Sequence, residues 1–81
     1  MCCVKDSAAD VFSQPMFVPA TGVAVRTFTN EVLRDDPNNA LNRYPADFSL
    51  YELGTFDDAT GQFDNLDAPN RLIRAVDVSR S

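Results

Sequence analysis

The chain has 81 residues, 44% of them hydrophobic and 23% charged, with twelve acidic against seven basic side chains and a net charge of −5. That length predicts a single small domain over 1–81, since one core needs on the order of 50–200 residues, and the composition is that of a folded globular chain, not a disordered one. No apolar run approaches the roughly 20 residues that span a bilayer, no secretion leader is evident, and the acidic balance disfavours nonspecific contact with nucleic-acid phosphates.

Met1 to about Asp6 reads as a first strand with Cys3 or Val4 on its buried side. Adjacent residues on a strand point to opposite faces, so Cys2 and Cys3 supply one inward and one outward thiol, and a disulfide between them is strained. With no histidine and no second cysteine pair, a structural zinc site is close to excluded. Ser7 to Gln14 is small and polar, a turn or irregular link. Met16-Phe17-Val18, between Pro15 and Pro19, can be extended for only a few residues and belongs at a sheet edge.

The clearest element follows. Thr21 is positioned to cap a helix that Gly22 enters, and Ala24, Val25, Phe28, Val32 and Leu33 fall on one stripe at helical spacing. Arg26, Thr27, Asn30, Glu31 and Arg34 take the other side. Pro37 disfavours helical geometry at Asp36, so the helix should stop near Arg34 or Asp35. Pro37-Asn38-Asn39 and Tyr44-Pro45 bracket a loop rich in turn formers.

Phe48 to about Phe56 is the best strand, with Tyr51 and Leu53 on one face and Phe48, Leu50 and Phe56 on the other. Asp57 to Gln62 has the form of a hairpin loop with Gly61 left-handed. Phe63 begins a short return that Asp64 to Asn70 should break. Arg71 to Val78 is the last strand, with Leu72, Arg74, Val76 and Val78 alternating against Ile73, Ala75 and Asp77, and residues 79–81 should fray. The expected architecture is α+β, a small three- to four-stranded mostly antiparallel sheet with one helix packed on one face.

No stretch carries recognisable catalytic chemistry. Asp57, Asp58, Asp64 and Asp67 lack the alternating ligands and closing glutamate of a calcium loop, and a solvated turn explains them. Ser7, Ser13, Ser49, Ser79 and Ser81 have no histidine to activate them, and the Asp35-Asp36 pair sits at a helix end where solubility accounts for it. Three glycines build no phosphate cradle. The chain is therefore expected to be no enzyme and to need no cofactor or metal. Binding is the remaining class. Arg71 and Arg74 on the last strand, with Tyr51 or Phe48 on its neighbour and Arg26 on the helix, form a candidate strip for partner or nucleic-acid contact. The usual alternative is that one ring completes the core while the arginines keep a sheet edge soluble.

A wider pattern is carried by Asp6-Ser7-Ala8-Ala9-Asp10-Val11-Phe12, by Gln14 to Gly22, by Val25 to Val32, by Pro45 to Gly54, and by the acidic turn Phe56 to Gly61. In this order the segments resemble the small nonstructural protein of gokushovirus-like Microviridae, icosahedral bacteriophages with single-stranded DNA genomes. The matching positions, among them Pro15, Phe17, Gly22, Phe28, Phe48, Leu50, Gly54, Asp57 and Gly61, are of a fold-determining kind, and Met1-Cys2-Cys3-Val4 departs from the more usual β-branched and aromatic first strand. The resemblance implies a viral protein made in the cytoplasm of the infected bacterium and absent from the mature virion. It implies a counterpart of protein C of the isometric phages, acting in DNA replication at the switch to single-stranded synthesis and DNA packaging. The partners so implied are the replication initiator or procapsid proteins. Two alternatives stand beside this: a single-stranded DNA-binding module, and a procapsid-associated scaffolding protein. A one-sided sheet also leaves apolar surface for a homodimer, and no membrane is involved.

Overall fold

A computed structural model describes residues 1–78. Its centre is a four-stranded antiparallel sheet in the order β2-β1-β3-β4, formed by β1 (Cys2–Asp6), β2 (Val11–Phe12), β3 (Phe48–Asp57) and β4 (Gln62–Arg74). One long helix, α1 (Thr21–Leu33), packs on one face, followed by a single helical turn, α2 (Ala40–Arg43). This is the expected α+β arrangement.

The stripe of α1 explains the packing. Ala24, Phe28 and Val32, four residues apart, are buried and meet Cys2, Leu50, Ala75 and Val78, with Val4, Val25, Phe48 and Ile73 closing around them. Leu33, expected on that stripe, is instead exposed at the last turn. Thr21 is the first helical residue and makes no capping bond; the extended Ala20 precedes it. The other end is closed from a distance. Asn39, buried, donates through Nδ2 to the Glu31 and Arg34 carbonyl oxygens at 2.7 and 2.9 Å, and Asn42 Nδ2 donates to the Val32 carbonyl at 2.9 Å. The Asn39 bond to Glu31 adds to the one that this carbonyl already accepts from the Arg34 amide at 3.2 Å, and the other two reach carbonyls at the helix end. The turn formers of 37–45 therefore hold a helical turn whose asparagines cap α1, where the sequence suggested loop alone.

β1 carries Cys2 and Val4 toward α1 and Cys3 away from it, yet both cysteines are buried. Its outer edge is lined by the link that follows. Val11 and Phe12 pair with Asp6 and Lys5, Ser13 N donates to the Val4 carbonyl at 2.8 Å, and Met16 exchanges both backbone bonds with Cys2. The Ser7–Gln14 stretch is thus part strand, while Met16 holds the edge position expected of it. Asp6 sets the intervening turn by accepting from the Ala8 and Ala9 amides.

The largest departure is β4. It runs through Asp64–Asn70 without ending, because an outermost strand needs no donor on its free side and so admits Pro69. Its register gives way there: Glu52 faces Asn70 and Gly54 faces Asn65, leaving Leu66 to Pro69 opposite Leu53 alone. A second irregularity lies between Leu50, paired with Ile73, and Tyr51, paired with Arg71, which leaves Leu72 extra. The strand ends at Arg74; Ala75–Asp77 is a helical turn that sends Ala75 and Val78 into the core. The fraying expected of 79–81 lies outside the described residues.

Candidate functional site

Two surfaces emerge from this framework. The first is the sheet face turned away from α1. Alternation along β3 places Ser49, Tyr51 and Leu53 there, and β1 adds Cys3 and Lys5 in register. Strict alternation along the last strand would put Arg71 and Arg74 on opposite faces. The extra Leu72 corrects this: Leu72 and Ile73 both pack on the core, so Arg71 emerges beside Tyr51 and Arg74 beside Ser49. Phe12 meets Tyr51 edge-on, with centroids 5.7 Å apart at 77°, and Lys5 Nζ lies 5.4 Å from the Phe12 ring centre.

Three of the four candidate residues, Tyr51, Arg71 and Arg74, are thus brought together. Arg26 is not among them; it lies on α1, on the far side of the sheet, beside Gly22, Val23 and Asn30. Phe12 and Lys5 join the strip unpredicted, and the signal was the Asp6 turn that folds β2 back along β1. The cations on this face are largely answered. Lys5 pairs with Asp10 at 3.3 Å, and Arg74 grips Asp77 through Nε and Nη2 at 2.9 and 3.1 Å. Arg74, with Arg71 beyond it, holds the Asp77 carboxyl below its ordinary range. On the helical layer Arg34 is engaged in the same way by Glu31 and Asp36.

The second surface is an arm. Beyond Leu53 the β3–β4 hairpin leaves the body, and every residue from Thr55 to Arg71 is exposed; the molecule measures 41 × 24 × 20 Å. Gly61 is left-handed, φ 74°, as its place in the turn requires, and it registers Phe56 against Phe63. These rings stand 4.9 Å apart, and Phe17 joins them at 5.5 Å from Phe56 and 6.2 Å from Phe63. All three remain open to solvent, at 56% for Phe17, 41% for Phe56 and 57% for Phe63. Between the Phe17 segment and the arm runs a groove of about 390 Å³, lined by Met1, Phe17, Val18, Thr55, Phe56 and Asp58. Met1 anchors its floor, with its amine donating to the Gly54 carbonyl at 2.9 Å and its carbonyl accepting from Leu53 N at 2.8 Å.

Gly54 allows the arm to form. Its φ is +154°, and a Cβ there would overlap the Asp64 carbonyl oxygen and sit 2.8 Å from Asn65 Cα. Charge distinguishes the arm as well: from Tyr44 to Asn70 there is no Lys or Arg, against Asp47, Glu52, Asp57, Asp58, Asp64 and Asp67. The aromatic trio escaped the sequence reading because Phe17 is far away in the chain, although the equal spacing of Phe56 and Phe63 about the turn was visible.

Among the described residues no three His, Cys, Asp or Glu side chains cluster as metal ligands, and no helix is long and apolar enough to cross a membrane. Burial pushes the Cys2 and Cys3 thiols up, so both stay protonated at neutral pH.

Comparison with known proteins agrees with the resemblance read from the sequence. A stretch of 45 residues is 42% identical to "Protein ORF5" of Chlamydia phage 1, covering 56% of this chain and 47% of that protein. The chain thus spans about half the length of that curated relative. No solved structure matches. Residues 1–78 match the family described as "Phage ORF5 protein", and the chain belongs to that family of small phage proteins.

Proposed function

We propose that this phage protein is a nonenzymatic regulator of viral DNA replication and of its switch to single-stranded synthesis and packaging. It works through protein contacts with the replication initiator or procapsid proteins in the cytoplasm of the infected bacterium. The replication role is what the resemblance to gokushovirus-like Microviridae implies. The observation that carries the contact mechanism is the solvent-facing group of Phe17, Phe56 and Phe63 on an acidic arm. Clustered exposed aromatics with polar surroundings are characteristic of protein-binding surfaces. Affinity capture from infected cells tests the proposal: recovery of initiator or capsid proteins supports it, and recovery of neither counts against it.

A second reading, direct binding of single-stranded DNA, is favoured by one observation, the placement of Arg71 and Arg74 beside Tyr51 and Phe12 on an open sheet face. Bases would stack on the rings while the arginines meet phosphates. Because Lys5 and Arg74 are already paired with carboxylates, we rank it second. Fluorescence anisotropy with an oligonucleotide at low salt decides it. Binding that weakens steeply with salt and falls in Tyr51→Ala and Arg71→Ala supports it; a flat titration removes it.

A further inference from the structure

The groove beside the arm has a chemistry that selects its occupant, and we infer that it docks an extended, basic peptide segment of a partner protein, anchored by one aromatic or large aliphatic side chain. This rests on the protein-contact reading above and specifies the class of partner.

The apolar part comes from three rings in mutual contact that the fold leaves open. Phe17 lies just before α1 and Phe56 on the arm, so the groove between them has two separate walls, and Phe63 packs on Phe56 outside its lining. Its volume of about 390 Å³ lies at the lower end of the range for ligand sites, on the order of 300–1,000 Å³, and suits one anchoring side chain with its flanking backbone. The body does not need these rings for its core, which closes around Phe28 and Leu50.

The charge comes from the same arm. Asp58 lines the groove, Asp57 and Asp64 stand on the two strands of the hairpin, and Asp67 follows on β4. The whole Tyr44–Asn70 segment offers no cation against them. Among the described residues none of Asp57, Asp58, Asp64 and Asp67 forms an ion pair. This contrasts with the strip on the sheet face, where Asp10 and Asp77 are matched by Lys5 and Arg74. The four arm aspartates outweigh the one cation at the groove, the Met1 ammonium that donates to the Gly54 carbonyl, and an acidic field of this kind attracts Lys and Arg and repels phosphates. It also repels a second copy of the arm, since two such hairpins would bring aspartates together. A nucleic acid and a second arm are therefore both disfavoured in this groove.

The test is selection from a displayed library of random dodecapeptides, run in parallel on the intact protein and on Phe56→Ser, with a charge variant, Asp58→Lys/Asp64→Lys, as the third bait. Because Phe56 is exposed on the arm, the variant keeps its fold, which a thermal melt verifies. Peptides enriched on the intact protein should carry net positive charge and an aromatic or large aliphatic residue. Their affinity should fall about tenfold or more on Phe56→Ser, and the charge variant should lose the preference for Lys and Arg. No enrichment, neutral or acidic winners, or winners that bind Phe56→Ser equally well would overturn the inference. Capture of initiator or capsid proteins from infected cells combined with any of those results would leave the protein-contact reading standing and remove only the groove.

Discussion

Phe28 in α1 and Phe63 in the arm are the same side chain, 2% exposed in one place and 57% in the other. Phe28 has Leu50, Val32 and Cys2 around it, so its surface is removed from water by the body itself. Phe63 touches Phe56 and Phe17, but the three together cannot cover one another. The body and the arm differ in what happens to apolar surface: one buries it internally, and the other holds it out on a two-stranded extension. Such an extension is marginal by itself and depends on the sheet from which it grows. The body therefore supplies stability, and the arm keeps apolar area exposed to solvent.

Substitutions sharpen that contrast. Phe28→Ala should lower unfolding free energy by about 3–5 kcal/mol, a large share of the stability of so small a domain, measurable by urea denaturation. Gly54→Ala should follow at about 1–3 kcal/mol, because it forces a side chain into a left-handed, backbone-crowded position. Its effect should be local: amide hydrogen exchange should accelerate from Thr55 to Asn65, and much less in α1. Exchange accelerating equally in both regions would break the distinction between body and arm.

Asn39→Ala should cost about 1–2 kcal/mol, since the Arg34 carbonyl loses its side-chain donor and the Glu31 carbonyl keeps only the Arg34 amide, and it should loosen the last turn of α1 with the arm undisturbed. The smallest effect is that of acid. Hydrogen bonds from Arg34 hold Glu31 low, the Asn38 amide and then Arg34 hold Asp36 low, and Arg74 holds Asp77 low. A carboxylate whose pKa is depressed by folding adds stability above its unfolded pKa and loses it as pH falls through the folded value. A shallow decline in melting temperature below about pH 4 is expected, abolished at the Arg74 pair by Asp77→Asn. All three groups are exposed, so a steep acid transition would contradict this assignment.

Much of the body could be read directly from residue spacing. Ala24, Phe28 and Val32 recur at one helical face, Pro37 stops the helix, and β3 turns Phe48 and Leu50 to the core despite an imperfect alternation, so the sheet, the helix and their contact face follow from local chemistry. What escaped depends on partners distant in sequence. The cap of α1 comes from Asn39 and Asn42, which look like turn residues until the chain folds back. The continuation of β4 through Asp64–Asn70 depends on its edge position, which composition does not reveal. Arg71 and Arg74 share a face only because Leu72 is extra, a slip that simple alternation cannot anticipate. Of the candidate residues, Tyr51, Arg71 and Arg74 lie on one face and Arg26 on the other, while the aromatic groove needed Phe17 to approach the hairpin in three dimensions.

The separation of stability from recognition is tested most directly by capturing phage proteins from infected cells with Phe63→Ser, alongside its thermal melt. The account predicts a melt within a few degrees of the parent chain and loss of the initiator or capsid proteins that the parent retains. Undiminished capture by a well-folded Phe63→Ser would contradict it.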